Sequence, residues 1–219
     1  MTTQQLLAVI GLLLALALLS RFGPIAWRSW QIYAGTRSRR LVDAGPLEIP
    51  PPDSVATRLQ ELGTLGFTRI GERSLVLPGR GVRYEWNVGD ETGSTYVSAV
   101  PTTIGAIIVF YSSFEDGTWV QTMFPRGETI RRPNFFASSV AQSLPAALEA
   151  HRKQVGELRA AHGRVRPVRT MADTLRMDAD YRSRFGGMTL RRLTVSNIMP
   201  GLSALALAVI CLLILLLSR

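Results

Sequence analysis

The feature that most constrains this chain is a run of 23 uncharged residues, Val195 to Leu217, close to its C-terminus. As a helix rising ~1.5 Å per residue, the run reaches about 34 Å, enough to cross a hydrocarbon core of roughly 30 Å. From Leu202 onward every residue of the run is apolar except Ser203, whereas a soluble helix carries polar residues along one face. Residues 195–219 are therefore predicted to form a C-terminal transmembrane helix.

A second apolar run, Leu6 to Leu19, is short for a span and also fits the hydrophobic region of a signal peptide. Its flanks favour a retained helix, because no basic residue precedes it and no good small-x-small cleavage site lies before Arg21. Residues 1–22 are predicted to be an N-terminal transmembrane helix, and a cleaved signal is the alternative.

Basic residues are concentrated on the inner flanks of both apolar runs. The chain has 25 Lys and Arg residues and a net charge of +9, and all of the basic residues except Arg219 lie between the two runs. Positive charge beside a span marks its cytoplasmic side. We therefore predict a multi-pass protein of the cell membrane, with the central domain in the cytoplasm and both termini outside. The residues expected at the interface with anionic lipid headgroups are Arg21, Trp27, Arg28, Trp30, Tyr33, Arg191 and Arg192.

Between the spans, the sequence predicts three segments. Residues 23–52 form an interfacial aromatic and Arg segment with a Pro-rich linker, residues 53–163 a soluble domain, and residues 164–194 a basic helical juxtamembrane segment. Within the domain, Arg83 to Val88 alternates between polar and apolar residues, and Ile107 to Tyr111 is apolar without a break, as in a central strand. The predicted fold class is α+β: a small antiparallel sheet of four or five strands with flanking helices, between two transmembrane helices. This layout resembles the many small bacterial membrane proteins that carry one soluble domain.

Glycine and proline suggest breaks next to each span. Pro24 is expected to begin a separate short helix, because proline is well tolerated at the first helical position. The Gly186-Gly187 pair is expected to form a hinge before the last span.

The last helix of the domain carries a regular seam. Ser143 can cap this helix and Gly163 can end it. Leu144, Leu148, His151, Val155, Leu158 and His162 recur at spacings of 4, 3, 4, 3 and 4, which places them on one helix face. The two histidines are about 16 Å apart along the helix axis, too far to share one metal ion. The seam is interpreted as a packing or partner surface, with pH sensing by the histidines as a weaker alternative.

Arg126, Arg131 and Arg132 are the candidate ligand-binding residues. Arginines in a loop before a helix can hold a phosphate or carboxylate. The alternative is a solvated basic loop, or one that touches anionic lipid. The adjacent carboxylates Glu115 and Asp116 are interpreted as a hairpin turn rather than an acid–base pair.

The function prediction follows from what the chain lacks and how it is tethered. No catalytic, metal or cofactor motif is found, nucleic-acid binding is not expected, and the only cysteine, Cys211, allows no intrachain disulfide. The sequence favours a non-enzymatic accessory, scaffold or partner-binding protein, with a protein partner or a homo-oligomer. The alternative is a membrane-tethered sensor of an anionic ligand or lipid headgroup. The third hypothesis is that the protein is an enzyme.

Overall fold

The computed structural model describes residues 3–36, 40–43, 50–77, 81–103 and 105–217. The chain forms two compact units: Met1–Arg39 with Arg184–Arg219, and Arg40–Ser183. The helices are α1 (Thr3–Thr36), α2 (Asp53–Thr64), α3 (Leu144–His162) and α4 (Met171–Leu217). The strands are β1 (Arg40–Asp43), β2 (Phe67–Leu77), β3 (Gly81–Asp90), β4 (Tyr96–Thr102), β5 (Gly105–Ser113), β6 (Trp119–Phe124), β7 (Ile130–Arg132) and β8 (Phe135–Ser139). Most of the predicted Pro-rich linker, residues 44–49, lies outside the described residues.

The unit that contains both chain ends holds two helices long and apolar enough to cross a membrane, Thr3–Trp27 within α1 and Ile198–Leu217 within α4. Their large apolar side chains are mostly exposed, while the small Ala8, Ala15 and Ala204 are buried. A Cβ added to Gly11 would lie 2.7 Å from Cys211 Sγ. The two helices therefore approach closely through small residues, which is typical of helix pairs in membranes.

The two expected helix breaks are wrong. Helix α1 continues through Pro24, and α4 runs from Met171 to Leu217 without a break at Gly186 and Gly187. A helix can absorb one proline as a kink, and a helical glycine costs only about 1 kcal/mol relative to alanine. Neither residue type ends a long apolar helix by itself.

The Arg40–Ser183 unit is built on one sheet. Within the described ranges this sheet has eight strands in the order β1-β2-β3-β4-β5-β6-β8-β7. All neighbours pair antiparallel except β6 and β8, which are parallel, so the sheet is mixed. The α+β class is confirmed, but the prediction of four or five antiparallel strands is only approximately right. The short strands β1, β7 and β8 were missed, because three to five residues are too few for alternation to distinguish a strand from a loop.

Helices α2 and α3 cover one face of the sheet, here called the α2–α3 face. Val55 and Leu62 of α2 are buried there with Leu144 of α3, against Trp86 and Phe110 of the sheet. Ser143 caps α3 as predicted, since its side chain accepts a hydrogen bond from the Ala146 N–H. This face holds the main hydrophobic core.

The first turns of α4 cover the opposite face, here called the α4 face. The side chain of Met171 lies against Gly71 of β2, and the ring of Tyr181 lies 5.0 Å from that of Trp119. Ahead of α4, the Arg166 N–H donates to the Ser113 carbonyl at 2.7 Å. The compact unit therefore extends past the predicted end at residue 163, because residues 164–183 form a layer of the domain.

Candidate ligand-binding cleft

A cleft of about 390 Å³ opens on the α2–α3 face, next to the sheet edge formed by β7 and β8. Strands β7 and β8 supply one wall and helix α3 supplies the other. The lining residues are Arg131, Phe136, Ser138, Val140, Ala150, Lys153, Gln154, Glu157 and Leu158.

The two walls follow from strand alternation and helix periodicity. In β8, the ring of Phe135 lies 5.9 Å from that of Tyr181 of α4, so Phe136 and Ser138, one and three residues further on, point to the other face of the sheet. On α3, the lining residues are spaced by 3, 1, 3 and 1 positions from Ala150 to Leu158. Such spacing forms a helical stripe directly beside the buried seam. The cleft is therefore the gap between this stripe of α3 and the strands β7 and β8.

Three charged side chains stand at the cleft. Arg131 is on the strand wall, and Lys153 and Glu157 are on the helix wall, all of them exposed. Two cations and one carboxylate give the cleft a formal charge of +1. Arginine offers a fork of N–H donors, and lysine offers a compact point charge on a flexible stem. This combination suits an anionic group.

A chain of polar side chains leads from the cleft into the core; we call it the Ser138–His151 chain. Ser138 Oγ lies 3.0 Å from Thr122 Oγ1, and Thr122 Oγ1 lies 3.0 Å from His151 Nδ1. On the other side of the ring, His151 Nε2 lies 3.0 Å from Ser112 Oγ, which donates to the Ser94 carbonyl at 2.7 Å. Both ring nitrogens are therefore engaged by hydroxyl groups.

These contacts assign the state of His151. The side chain is fully buried, and this burial, with a smaller contribution from Arg152, lowers the pKa of His151 to about 3. The imidazole is neutral at pH 7. Because the Ser112 hydroxyl gives its hydrogen to Ser94, it accepts from Nε2–H, and Nδ1 accepts from Thr122. His151 therefore adds hydrogen bonds behind the cleft but no charge.

A second polar cluster is buried on the α4 face. Arg73 donates through Nε to Glu85 at 2.7 Å and through Nη2 to Ser98 at 3.2 Å, and Ser98 donates to Asn87 at 2.7 Å. Burial alone lowers the pKa of Arg73, but Glu85 and the other negative or polar neighbours outweigh it, so the pKa is raised. Within the described part of the chain, Arg73 Nη1 has no hydrogen-bond partner. The cluster is an ion pair held by hydroxyl and amide groups.

Helix α4 completes that cluster. Burial raises the pKa of Asp178, although Arg73 and the paired Arg182 oppose this shift. The rings of Tyr96 and Tyr111 stack at 4.8 Å between the ion pair and Trp119. These contacts hold α4 against the sheet, and we interpret the cluster as structural.

The candidate residues Arg126, Arg131 and Arg132 do not form a single group around the cleft. Arg126 is exposed in the loop after β6, and Arg131 and Arg132 are neighbours on β7. Alternation along a strand sends adjacent side chains to opposite faces, and Arg131 alone of the three lines the cleft. That the three arginines share a ligand remains a prediction.

The predicted seam lies against the sheet. Leu144, Leu148, His151 and Val155 are buried, and Leu158 and His162 are half-buried. His162 Nδ1 lies 2.8 Å from Asp116 Oδ2 and 3.0 Å from Thr118 Oγ1. Although partial burial opposes it, hydrogen bonds from Thr118 and His162 lower the pKa of Asp116. Asp116 thus orders its turn and the end of α3, while most of the seam is covered by the chain itself.

Part of the predicted membrane interface is described. Trp27 and Trp30 are 62% and 49% exposed, and the Arg21 guanidinium lies 5.7 Å from the centre of the Phe22 ring. Exposed tryptophans at one end of an apolar helix suit the interfacial region of a bilayer. The side chains of Arg28, Tyr33, Arg191 and Arg192 lie outside the described residues.

Sequence reasoning missed Ser138, Lys153 and Gln154. Lys153 carries a signal, since it is the only lysine in the chain and sits beside the seam at helical spacing. Ser138 carries none, because it becomes a wall residue only through the parallel pairing of β8 with β6.

Comparisons with protein-family models, with curated proteins and with solved structures found no match for this chain. Among the described residues, no group of three or more His, Cys, Asp or Glu side chains is placed to hold a metal ion. The cleft and the distribution of charge are therefore the features of the molecule that bear on its function.

Proposed function

We propose that this chain is a two-span membrane protein whose cytoplasmic α+β domain is a non-enzymatic binding module, with its ligand in the cleft between α3 and β7–β8. The observation that carries the proposal is the cleft itself: a concave site with apolar surface on its walls and a few polar groups, which is how small-molecule sites are built. The membrane-tethered sensor is thus the favoured form of this function.

The two apolar helices support a place in the membrane, and the charge distribution supports the orientation. Of the 25 basic residues, all except Arg219 lie between the two candidate spans. Holding basic residues near anionic lipid is favourable by about 1 kcal/mol per charge, so the domain belongs on the cytoplasmic side.

The chemistry of the cleft supports binding rather than turnover. Ser138 is the only hydroxyl side chain among the lining residues, and its side chain contacts Thr122 and Gln154 rather than a base that activates it. Arg131 and Lys153 hold anions well.

The binding function is tested by native mass spectrometry of the full chain, extracted from its own membranes into nanodiscs. We expect a bound small species on the wild type that is lost from Arg131→Glu/Lys153→Glu. The matched control Arg132→Glu/Arg152→Glu changes the same number of charges at neighbouring positions outside the cleft and keeps the species. Equal occupancy of all three proteins contradicts the proposal.

A protein partner is the second candidate, and a specific observation favours it. Strand β7 lies at the edge of the sheet with Arg131 and Arg132 exposed, and an edge strand can pair with a strand from another chain. A photo-crosslinking residue at Arg132 tests this reading in native membranes. One discrete adduct supports an acidic protein partner, and labelling of lipid alone removes this candidate.

A further inference from the structure

We propose that the cleft selects a small amphiphilic anion, a carboxylate or phosphate head joined to a short hydrocarbon body. This inference rests on the proposed binding function and adds the chemical class of the ligand. Four features of the lining residues carry it: charge, hydroxyl and amide groups, apolar surface and volume.

The head group is assigned by the charges. Arg131 and Lys153 stand on opposite walls of the cleft, so one anionic group between them contacts both. A carboxylate or phosphate matches the guanidinium fork, and charge-assisted hydrogen bonds of this kind are stronger than neutral ones. Glu157 leaves a formal charge of +1, and the neutral His151 behind the wall does not change it. A cationic head would meet two like charges.

Neutral polar groups can complete the head-group site. Ser138 Oγ lies 3.4 Å from Gln154 Oε1, a long contact that leaves the Gln154 amide free to donate its N–H groups to a ligand. Ser138 is also in contact with Thr122, the first member of the buried chain that leads to His151. Because Thr122 donates to His151 Nδ1, it accepts from Ser138, and this chain of hydrogen bonds holds Ser138 in place on the cleft wall.

The hydrocarbon body is assigned by the apolar lining. Phe136, Val140, Ala150 and Leu158 give the cleft an apolar surface on both walls. Leu158 packs against the small buried cluster of Phe114, Val120 and Val155, so this surface is backed by core. Covering it with hydrocarbon removes apolar area from water, which an inorganic anion does not do.

The volume restricts the size of the ligand. About 390 Å³ is near the lower end of the roughly 300–1,000 Å³ found for small-molecule sites. A single short chain with one head group is therefore favoured over a lipid with two acyl chains.

The test uses the full chain in nanodiscs of zwitterionic lipid, since a detergent is itself an amphiphile. Hexyl phosphate and hexanoate are the probes, and saturable binding is measured by saturation-transfer NMR. Hexanol and hexyltrimethylammonium keep the hydrocarbon without the negative charge, and inorganic phosphate keeps the charge without the hydrocarbon. We expect saturable binding of the two probes and at least about tenfold weaker binding of the three controls, the loss expected when one charge-assisted contact is removed.

Matched variants locate the binding. Arg131→Ala and Lys153→Ala are expected to weaken the binding of hexyl phosphate by about tenfold or more. The neighbouring Arg132→Ala and Arg152→Ala are expected to leave its binding affinity unchanged. All four side chains are exposed, so the fold is expected to survive each change.

Three results overturn this inference: no saturable binding of hexyl phosphate or hexanoate, equal binding of hexanol, or equal losses in all four variants. The proposed binding function stands or falls separately. If the wild type carries a native species that the charge reversal removes, but hexyl phosphate does not bind, the cleft is a site for another class of ligand.

Discussion

His151 is the residue whose surroundings depend most on the fold. A fully buried imidazole is stable only when both nitrogens find partners, and here two hydroxyl groups from neighbouring strands supply them. The helical spacing of the seam places His151 on the inward face of α3. It does not reveal Ser112 and Thr122, which are 39 and 29 residues away in sequence.

The neutral state of His151 is tested by replacing it with a residue that does not titrate. The folded-state pKa of about 3 lies below the ordinary 6.5, so the unfolded chain binds the extra proton between these values. Stability is therefore lost as the pH falls from about 6.5 towards about 3, by at most ~1.4 kcal/mol per pH unit. Hydrogen exchange of the β5 and β6 amides in the full chain measures it. We expect His151→Gln to lose this part of the pH dependence, and an unchanged slope contradicts the assignment.

The tautomer of His151 is a separate expectation. Nitrogen-15 shifts of the ring are expected to show a protonated Nε2 and an unprotonated Nδ1, because Ser112 already donates to Ser94. The opposite tautomer would mean that Thr122 rather than Ser112 accepts from the ring.

At the scale of elements, the ion pair between β2 and β3 is the main polar link of the α4 face. Arg73→Met leaves Glu85 buried without its partner, and we expect a loss of about 3–5 kcal/mol in the free energy of unfolding. Arg73→Met/Glu85→Met removes both charges and is expected to recover roughly 1–3 kcal/mol of it. Urea-dependent pulse proteolysis of the full chain measures both.

The control for this cycle is the more exposed pair Arg58 and Glu61 on α2. Its alanine variants are expected to lower the free energy of unfolding by about 1 kcal/mol or less. If Arg73→Met lowers the free energy of unfolding no more than these variants do, the ion pair does not stabilise the domain.

The packing of α4 on the sheet is tested by a pair of glycines. A Cβ on Gly71, where φ is +149°, would lie 2.7 Å from Met171 Cγ, whereas Gly63 of α2 has no atom within 4 Å. We expect Gly71→Ala to lower the free energy of unfolding by roughly 1–3 kcal/mol and Gly63→Ala to raise it by up to ~1 kcal/mol. Thermal unfolding followed by circular dichroism compares them. Equal effects would contradict both the left-handed backbone at Gly71 and its close contact with Met171.

The elements that sequence predicts well are those with long, strong patterns. The run Ile107 to Tyr111 became part of the central strand β5, and the capped pattern from Ser143 became α3. The polar residues Glu85 and Asn87 alternate correctly with Trp86, yet they are buried, because α4 returns to cover them. A strand pattern tells which residues share a face, and only the tertiary fold tells what covers that face.

For the whole molecule, charge and apolar length predict the architecture better than they predict the site. The two candidate spans and the α+β class follow from runs of many residues. The cleft depends on a few side chains from β7, β8 and α3. These side chains are separated along the sequence, and the order of strands in the sheet brings them together. Sequence identifies Arg131 as one of three arginines before α3, but only the fold places Ser138 and Lys153 beside it.

The side of the membrane that the domain faces decides every functional proposal above, and the single cysteine makes it measurable. In a Cys211→Ala background, one variant carries Asn134→Cys, in the exposed turn between β7 and β8, and another carries Ser218→Cys. A membrane-impermeant maleimide is added to intact cells and, separately, to permeabilised cells. We expect Ser218→Cys to be labelled in intact cells and Asn134→Cys only after permeabilisation. Labelling of Asn134→Cys in intact cells would contradict the account, because the domain would then lie outside the cytoplasm.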